Sequence, residues 1–376
     1  MHSRERLLNL LNGNKIDRLP VSPFIHNNFI YEFFGSDKVD PVAKGLEVYK
    51  HFDFDTILRT CTVWDAFDIK ESNNEKWYVT KEKHTTKENV EWSIVTTIQT
   101  PEKVLRQNQQ FRRVGKYEVV SAKTEYYIKD ESDFEQFVKY QPPVKEYDCS
   151  IITRARHLIG DDGLVAPWAQ GAFNCLREYR KIDDLLMDPY LNFEMYEQMV
   201  KYFSNRMLGA IQQFVNAGAD IISCEGNAAT GTMVGPDFFK RFILPYEREF
   251  TRQVKEMGVY YLYHNCGDAR ALLELYPLIG MDIYESLTKP PYGDTILEEA
   301  IEKLGDDIVL SGNVDQIEFL VNRTPNDVEE EVKQLIEKVK RRGNFIVATS
   351  DYISNGTPHE NILALSETVR KYGLGD

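Results

Sequence analysis

The sequence lacks the features that mark a secreted, membrane-spanning or disordered protein. Its five cysteines are odd in number and lie at 61, 149, 175, 224 and 266, without the spacing of a disulfide framework. No uncharged apolar run is long enough to span a bilayer, and the charged N-terminus lacks the apolar core of a signal peptide. We therefore expect a cytoplasmic protein whose thiols are free.

Positive charge is the scarcer kind in this chain. Lys and Arg number 45 against 59 Asp and Glu, which gives a formal net charge of −14 at pH 7. No long block of Lys or Arg occurs, so a surface for nucleic acid or an anionic membrane would act against the overall electric field. The charge therefore disfavours both partners and favours a small molecule or another protein.

The sequence does contain enough apolar material for a large core, because 42% of its 376 residues are hydrophobic. Short apolar runs alternate with long amphipathic stretches, which is the pattern of repeated βα units on a parallel sheet. Eight runs predict an α/β protein, a (β/α)8 TIM barrel that forms a single domain over residues 1–376. These runs are 19–26, 55–60, 163–170, 219–225, 259–264, 282–286, 308–312 and 345–349.

Apolar residues at helical spacing predict helices between the runs. These segments are 191–217, 237–257, 272–279, 295–304, 325–340 and 360–372. Gly258, Gly280, Gly305 and Gly343 each stand just before a predicted strand, where the turn from helix to strand favours a left-handed residue. The glycines therefore support the same strand positions as the apolar runs.

Residues 62–145 interrupt this repeat after the second barrel strand. Segments 76–80, 90–100, 117–120 and 124–128 alternate apolar and polar residues like the strands of an antiparallel meander. We therefore predict an inserted β-rich segment near the barrel mouth, which could serve as a lid or a docking surface.

A metal site is predicted at the end of the fifth barrel strand, because barrel enzymes place their chemistry at the C-terminal ends of strands. His264 and Cys266 point to the same side of an extended chain and could hold one ion. Zinc suits mixed nitrogen and sulfur ligands. Glu225 and Asp351, and less so Cys224, are candidates for completing the site. Packing of a buried histidine and cysteine at the barrel top would explain the pair as well.

Other polar residues at strand ends are candidates for catalysis or substrate binding. Glu285 could be a general base or could orient a ligating histidine, although a structural ion pair would explain it nearly as well. His26 could polarise a substrate, and a simple loop histidine is an equal explanation. The third catalytic candidate is Asp315, and the candidates for substrate binding are Asn28, Asp65, Gln170, Tyr263 and Asn313.

Seven short motifs, spread over nearly the whole chain, together resemble a known superfamily. They are 13–21 (GNKIDRLPV), 54–55 (FD), 218–220 (GAD), 242–246 (FILPY), 264–267 (HNCG), 311–315 (SGNVD) and 356–361 (GTPHEN). Each is weak alone, but as a set they resemble the uroporphyrinogen decarboxylase superfamily, and especially its branch of corrinoid-dependent methyltransferases.

The resemblance implies a zinc enzyme that moves a methyl group between a small molecule and a corrinoid (cobalamin) carried by a corrinoid-binding protein. In that branch the His-x-Cys pair and a cysteine after the last strand hold the metal, and counting back from Gly356 places Asp351 at the position of that cysteine. The loss of one thiolate would make the zinc more Lewis-acidic. This favours a methyl donor such as a methyl ether, with the enzyme as an O-demethylase component. A homodimer is favoured by the resemblance alone.

Other functions stay open at the level of sequence. Transfer in the reverse direction, from the corrinoid to a zinc-activated thiol, fits the same barrel. A decarboxylase or lyase of a non-porphyrin carboxylic acid would use His26, Asp65 and Glu285 for proton chemistry and would need no metal. Decarboxylation of a porphyrin is not expected, because the Arg-rich segment that follows the first strand in such enzymes is missing after Pro23. A non-catalytic binding protein is disfavoured by the polar strand ends.

Overall fold

The computed structural model describes residues 1–374. The chain divides into two compact units. The first consists of Met1–Val63, Asp148–Gly171 and the chain from Ile211 onward, and the second consists of Trp64–Tyr147 and Ala172–Ala210. The second unit is therefore larger than the predicted insertion at 62–145, because residues 172–210 cluster with it.

Thirteen β-strands form within the described residues. In chain order they are β1 (Thr56–Leu58), β2 (Ser72–Asn74), β3 (Trp77–Lys87), β4 (Glu91–Gln99), β5 (Val104–Arg113), β6 (Val119–Glu125), β7 (Gly163–Val165), β8 (Trp168–Gln170), β9 (Ile221–Glu225), β10 (Tyr260–His264), β11 (Ile283–Ser286), β12 (Val309–Val314) and β13 (Phe345–Thr349).

Fourteen α-helices form in the same residues, none of them long and apolar enough to cross a membrane. They are α1 (Ser3–Leu11), α2 (Asn27–Phe34), α3 (Pro41–His51), α4 (Glu131–Tyr140), α5 (Ser150–Ile159), α6 (Asn174–Arg177), α7 (Ile182–Leu191), α8 (Phe193–Asn216), α9 (Gly231–Phe238), α10 (Leu244–Glu256), α11 (Leu297–Leu304), α12 (Phe319–Asn322), α13 (Pro325–Val339) and α14 (His359–Tyr372).

The first unit is built on parallel strands. β1 pairs with β7, and β8 to β13 form one six-stranded row. The predicted run 163–170 is split into β7 and β8 at Pro167, whose nitrogen has no hydrogen to donate to a ladder. Backbone bonds continue on both sides of the break, from Ala166 N to Leu58 O (2.9 Å) and from Asp220 N to Val165 O (2.8 Å). The split run therefore connects the two ladders.

The remaining gap, between β13 and β1, is filled by residues 19–26. A continuous strand was predicted there and is wrong, because Pro20 and Pro23 cannot donate backbone hydrogen bonds. The segment instead makes an isolated parallel bridge between Val21 and Val347, and Val21 O accepts from Asp55 N at 2.7 Å. Eight positions are thus filled around the sheet, which confirms the predicted (β/α)8 barrel.

The barrel interior is apolar at one end and polar at the other. Two leucines of α1 pack among eight inward strand residues, a cluster made of Leu7, Leu10, Ile57, Leu164, Ala166, Ile221, Leu262, Ile283, Val309 and Ile346. Side chains two positions further along a strand share its face, and these include Arg59, His264 and Glu285. The alternation of the strands therefore delivers charged groups to the C-terminal end of the barrel, where such folds hold their active sites.

Most predicted helices are confirmed, and the four glycines before strands all have positive φ between 69° and 86°. Two predictions need correction. The segment 272–279 contains only two 3-10 turns, Arg270–Leu272 and Tyr276–Ile279, since Pro277 interrupts the backbone bonds of a longer helix. The segment 237–257 is divided between α9 and α10 by a π-helical turn, Phe239–Ile243, that precedes Pro245.

The second unit contains a five-stranded antiparallel meander in the order β2-β3-β4-β5-β6. β5 was not predicted because its sequence, VLRQNQQFRR, is polar on both faces, and β6 replaces two shorter predicted strands. Aromatic rings fill this unit's core. Trp77 lies 5.2 Å from Phe137, and Tyr179 stacks on Phe203 at 4.0 Å between ring centroids.

Asp55 ties the N-terminal segment to the barrel. Its carboxylate is 1% exposed and accepts hydrogen bonds from Arg6 Nη1 (2.6 Å), Arg18 Nη1 (2.8 Å) and Val21 N (2.9 Å). Replacement of Asp55 by alanine would leave two buried guanidinium groups without this partner. We expect D55A to lower the free energy of unfolding by about 3–5 kcal/mol, as measured by urea denaturation.

The control for this experiment is Asp162→Ala, which removes a surface carboxylate 2.8 Å from the exposed Lys50 amine. An exposed pair of this kind contributes about 1 kcal/mol or less. Equal losses in D55A and D162A would contradict the role given to Asp55.

Candidate metal centre

Three side chains with metal-binding atoms meet at the C-terminal end of the barrel. One ligand atom each of His264, Cys266 and Asp351 lies within 4.8 Å of the other two. His264 ends β10 and Cys266 follows in the next loop, whereas Asp351 comes two residues after β13. Three of the four predicted ligands are therefore close together in the structure.

His264 is fixed by its neighbours through one ring nitrogen. The residue is 3% exposed, and its Nδ1 lies 2.8 Å from Glu285 Oε2 and 3.3 Å from Ser286 Oγ. His264 and Glu285 are register partners on β10 and β11, so the sheet itself sets this contact. With Nδ1 engaged, Nε2 is the nitrogen available to an ion.

Glu285 is a buried carboxylate with a cationic partner. Arg59 donates from Nη1 to Oε2 at 2.6 Å and from Nη2 to Oε1, forming a two-pronged ion pair. Burial acts to raise the pKa of Glu285, but Arg59 and His264 outweigh it and lower the pKa to about 2. The ionised carboxylate faces His264 Nδ1, so a neutral imidazole carries its hydrogen on Nδ1 and would offer the lone pair of Nε2 to a bound cation.

The protonation of the cluster depends on mutual contacts. Burial acts to lower the pKa of His264, but hydrogen bonds with Cys266 and Glu285 raise it overall. For Cys266, burial raises the pKa of the thiol more strongly than the contact with His264 lowers it. A bound cation would instead favour the thiolate of Cys266 and the neutral imidazole of His264, because metals bind these two forms.

The donor set fits zinc. One imidazole nitrogen, one sulfur and one carboxylate oxygen form the three-ligand arrangement of catalytic zinc sites, which leave a fourth position open. Zinc–ligand distances of about 2.0–2.3 Å imply ligand atoms roughly 3.3–3.8 Å apart in a tetrahedron. Ligand atoms within 4.8 Å of one another therefore need only small side-chain movements.

The loop that carries the His-x-Cys pair is anchored by the residue between them. Asn265 is fully buried, and its Nδ2 donates to Tyr276 OH at 2.7 Å and to Ala229 O at 3.3 Å. The side chain points away from its two neighbours because adjacent residues of extended chain face opposite sides. Asn265 thus holds the backbone from which His264 and Cys266 project.

Glu225 and Cys224, the other residues considered as ligands, lie outside the three-residue group. Glu225 is the register partner of His264 on β9, and its Oε2 accepts from Gln170 Nε2 at 3.3 Å. Cys224 is fully buried, and burial raises the pKa of its thiol well above the usual value. The role of Glu225 as a ligand and that of Gln170 in substrate binding stay predictions.

His26 lies at the start of α2, close to the cluster. Its Nδ1 accepts from Asn28 N at 3.4 Å, and its ring centroid is 5.3 Å from that of Tyr352, the residue after Asp351. Burial lowers the pKa of His26, and the charge of Asp351 acts against this shift. The ring is therefore neutral at pH 7 with its hydrogen on Nε2. The catalytic role of His26 and the substrate contact of Asn28 stay predictions.

Three predicted residues do not take part in the cluster. Tyr263 alternates with His264 on β10, so it faces outward and packs on Tyr276 with ring centroids 5.8 Å apart. Asp315 caps a turn, because its Oδ1 accepts from two backbone amides, those of Ile317 (2.7 Å) and Glu318 (3.2 Å). Asn313 lines a separate cavity of about 150 Å³. The catalytic role of Asp315 and the substrate contacts of Tyr263 and Asn313 stay predictions.

Asp65 belongs to the second unit. It lies in a 3-10 turn, Trp64–Phe67, where its exposed carboxylate forms an ion pair with Lys70 Nζ at 2.6 Å. Its predicted part in substrate binding stays a prediction.

Sequence reasoning did not single out Arg59. The residue is 3% exposed and follows β1, two positions after the inward-facing Ile57. A charged residue on the inner face of an otherwise apolar strand needs a buried partner of opposite charge. That pattern was the available signal, and the partner is Glu285.

Comparisons with known proteins agree with this architecture. The family model described as uroporphyrinogen decarboxylase (URO-D) matches residues 118–372. Among solved structures, a methyltransferase from Methanosarcina mazei superposes with a TM-score of 0.72 at 17% identity, and the match covers 99% of each chain. This similarity supports the fold.

Two curated relatives are methyltransferases by name. The chain is 29% identical over 147 residues to methylated-thiol–coenzyme M methyltransferase of Methanosarcina mazei, covering 39% of this chain and 36% of that protein. It is 24% identical over 179 residues to methylcobamide:CoM methyltransferase MtbA of Methanosarcina acetivorans, covering 48% and 50%. The chain thus spans half or less of the length of these two relatives.

The contact between Glu285 and His264 leads to a prediction about metal affinity. Glu285→Gln keeps the shape of the side chain but removes the charge that orients the imidazole. We expect the zinc affinity to fall about 10–100-fold, as is typical when the partner of a ligating histidine is changed. Competition with a chromophoric chelator measures the affinity. Glu331→Gln, at an ion pair with Lys289 outside the cluster, is the control, and equal affinities in the two variants would contradict the prediction.

Proposed function

Because the chain belongs to the uroporphyrinogen decarboxylase (URO-D) family, we propose that it is a zinc-dependent methyltransferase that works with a corrinoid-binding protein. The observation that carries the proposal is the cluster of His264, Cys266 and Asp351 at the C-terminal end of the barrel. The curated relatives support the same type of reaction, since their names describe methyl transfer and, for one of them, a methylcobamide substrate.

Each residue of the cluster has a defined part in holding the metal. His264 offers Nε2, Cys266 offers its thiolate and Asp351 offers a carboxylate oxygen. Zinc bound there would supply a Lewis acid that polarises the atom carrying the methyl group. Burial of His264 and partial burial of Cys266 and Asp351 keep bulk water from competing with the substrate for the open position.

The proposed methyl donor is a methyl ether, because Asp351 stands where the resemblance to corrinoid-dependent methyltransferases implies a second cysteine. One thiolate instead of two leaves more positive charge on the metal and suits an oxygen donor. In the reaction, the carbon–oxygen bond of the ether breaks, and the electron pair of the cobalt(I) corrinoid forms the new bond to the methyl carbon. The chain would then act as the O-demethylase component.

His26 is the proposed hydrogen-bond donor to the departing oxygen. Its Nδ1 already accepts from Asn28 N, so Nε2 carries the hydrogen and can donate. The lowered pKa of His26 keeps the ring neutral. A neutral imidazole beside Asp351 can hydrogen-bond to an oxygen that gains negative charge, and the proton that this oxygen finally takes comes from solvent.

Transfer in the opposite direction is the second candidate. The names of both relatives contain coenzyme M, which is a thiol. In this chain the same cluster would bind a thiol, and Cys266 would remain as the permanent sulfur ligand. The donor set with Asp351 favours the ether reaction, and the two directions are separated by assay.

The first experiment is elemental analysis of the purified protein. We expect near-stoichiometric zinc in the wild type and little in His264→Ala and Cys266→Ala, because each variant leaves only two of the three ligands. His157→Ala and Cys149→Ala are the matched controls, since both residues lie in or next to α5, outside the cluster, and both variants should retain zinc.

A folded wild type that binds no zinc when metal is supplied would overturn the metal-dependent function. In that case the decarboxylase or lyase considered from the sequence would be the better hypothesis. Circular dichroism of each variant confirms that loss of metal is not loss of fold.

Asp351→Cys tests the choice of methyl donor. The substitution creates the donor set of the related methyltransferases, and we expect it to slow methylation of cobalt(I) corrinoid by an aryl methyl ether at least about tenfold, equivalent to about 1.4 kcal/mol in the barrier. The visible spectrum of the corrinoid reports the rate. Thiol methylation by methylcorrinoid should be retained or improved, and faster ether cleavage in D351C would contradict the proposed donor class.

A further inference from the structure

The buried guanidinium group of Arg59, next to the candidate metal ligands, has no part in the reaction proposed above. We infer that Arg59 is a positioning residue, which acts through Glu285 to set the orientation of His264 and so the strength of metal binding. This inference rests on the proposed zinc site. Arg59 itself does not contact the three ligands through the hydrogen bonds that the structure shows.

Arg59 is held from several directions. Its Nη atoms bind both oxygens of Glu285, and its guanidinium carbon lies 4.7 Å from the ring centroid of Phe24 and 5.1 Å from that of Trp168. Arg59 Nε finds no partner among the described residues. The two rings and the two-pronged ion pair leave the side chain little freedom, so Arg59 presents a fixed positive charge to Glu285.

The contacts that link Arg59 to the candidate ligand His264 pass through a single oxygen atom. Glu285 Oε2 accepts from Arg59 Nη1 at 2.6 Å and lies 2.8 Å from His264 Nδ1. The position and charge of this oxygen therefore depend on Arg59. A purely hydrophobic replacement would leave Glu285 with His264 as its main charged partner in a site that is 2–3% exposed.

The net charge of the site shows why the loss of Arg59 would affect metal binding. A divalent cation with one thiolate and one carboxylate is neutral overall, and the pair of Glu285 with Arg59 is also neutral. Without Arg59 the buried site carries one uncompensated negative charge next to His264. Because a buried unpaired charge is costly, Glu285 would turn toward other donors or water, and His264 would lose the partner that fixes its imidazole for the metal.

The experiment uses cobalt(II) in place of zinc, because its visible absorption bands report ligand geometry and donor strength. We compare the full-length wild type, Arg59→Lys and Arg59→Met for the cobalt band positions and for the dissociation constant against a competing chelator. We expect Arg59→Met to shift the bands and to weaken binding about 10–100-fold. Arg59→Lys keeps the charge without the two-pronged contact and should give an intermediate result.

The matched control is Arg18→Met. Arg18 is also a buried arginine paired with a carboxylate, that of Asp55, but it belongs to the network at the N-terminal segment. The variant should lose stability and yet keep the wild-type cobalt spectrum and affinity. If Arg59→Met does not fold, Arg59→Lys carries the comparison with Arg18→Lys.

A double variant tests whether Arg59 acts through Glu285. Once Glu285→Gln has removed the carboxylate, adding Arg59→Met should change the dissociation constant by no more than about twofold, the scatter expected for additive effects. A further full loss in the double variant, or wild-type spectra and affinity in both Arg59 variants, would overturn the inference. Failure of the wild type to bind any metal would overturn the proposed zinc function itself.

Discussion

The contact between His264 Nδ1 and Glu285 Oε2 is the interaction on which the proposed metal centre depends. At 2.8 Å, inside a barrel end that excludes solvent, it decides which nitrogen of the imidazole faces Cys266 and Asp351. The sheet register delivers both groups to the same level of the barrel, because β10 and β11 pair them side by side. The orientation of the candidate ligand His264 is therefore a consequence of strand alignment.

Two networks of buried ion pairs lie at different places in the barrel. Asp55 with its two arginines joins the N-terminal segment to the strands, whereas Glu285 with Arg59 lies above the apolar cluster that fills the interior. The first network replaces the regular ladder that the prolines of residues 19–26 prevent. The second supports residues that could bind a metal. A buried ion pair costs desolvation free energy in both places, and each is retained where the fold or the site needs a fixed position.

The sequence was informative wherever a short pattern fixes geometry. Alternation within β10 was enough to place His264 and Cys266 on one side, and counting from Gly356 identified Asp351 as their companion. Glycines before strands marked the helix ends. Contacts between distant strands could not be predicted from the sequence, which is why Arg59, whose partner Glu285 lies on β11, was missed. Polar strands such as β5 were also not predicted, because pairing with neighbouring strands stabilises them and their own sequence has no apolar pattern.

The central claim is that a single sulfur, one imidazole and one carboxylate hold zinc at the barrel end. X-ray absorption at the zinc edge of the purified, zinc-loaded protein tests it most directly. The account predicts for the wild type one Zn–S distance of about 2.3 Å together with nitrogen and oxygen ligands at about 2.0–2.2 Å, and a second sulfur ligand in Asp351→Cys. A wild-type site with two or more sulfur ligands, or one with none, would contradict it.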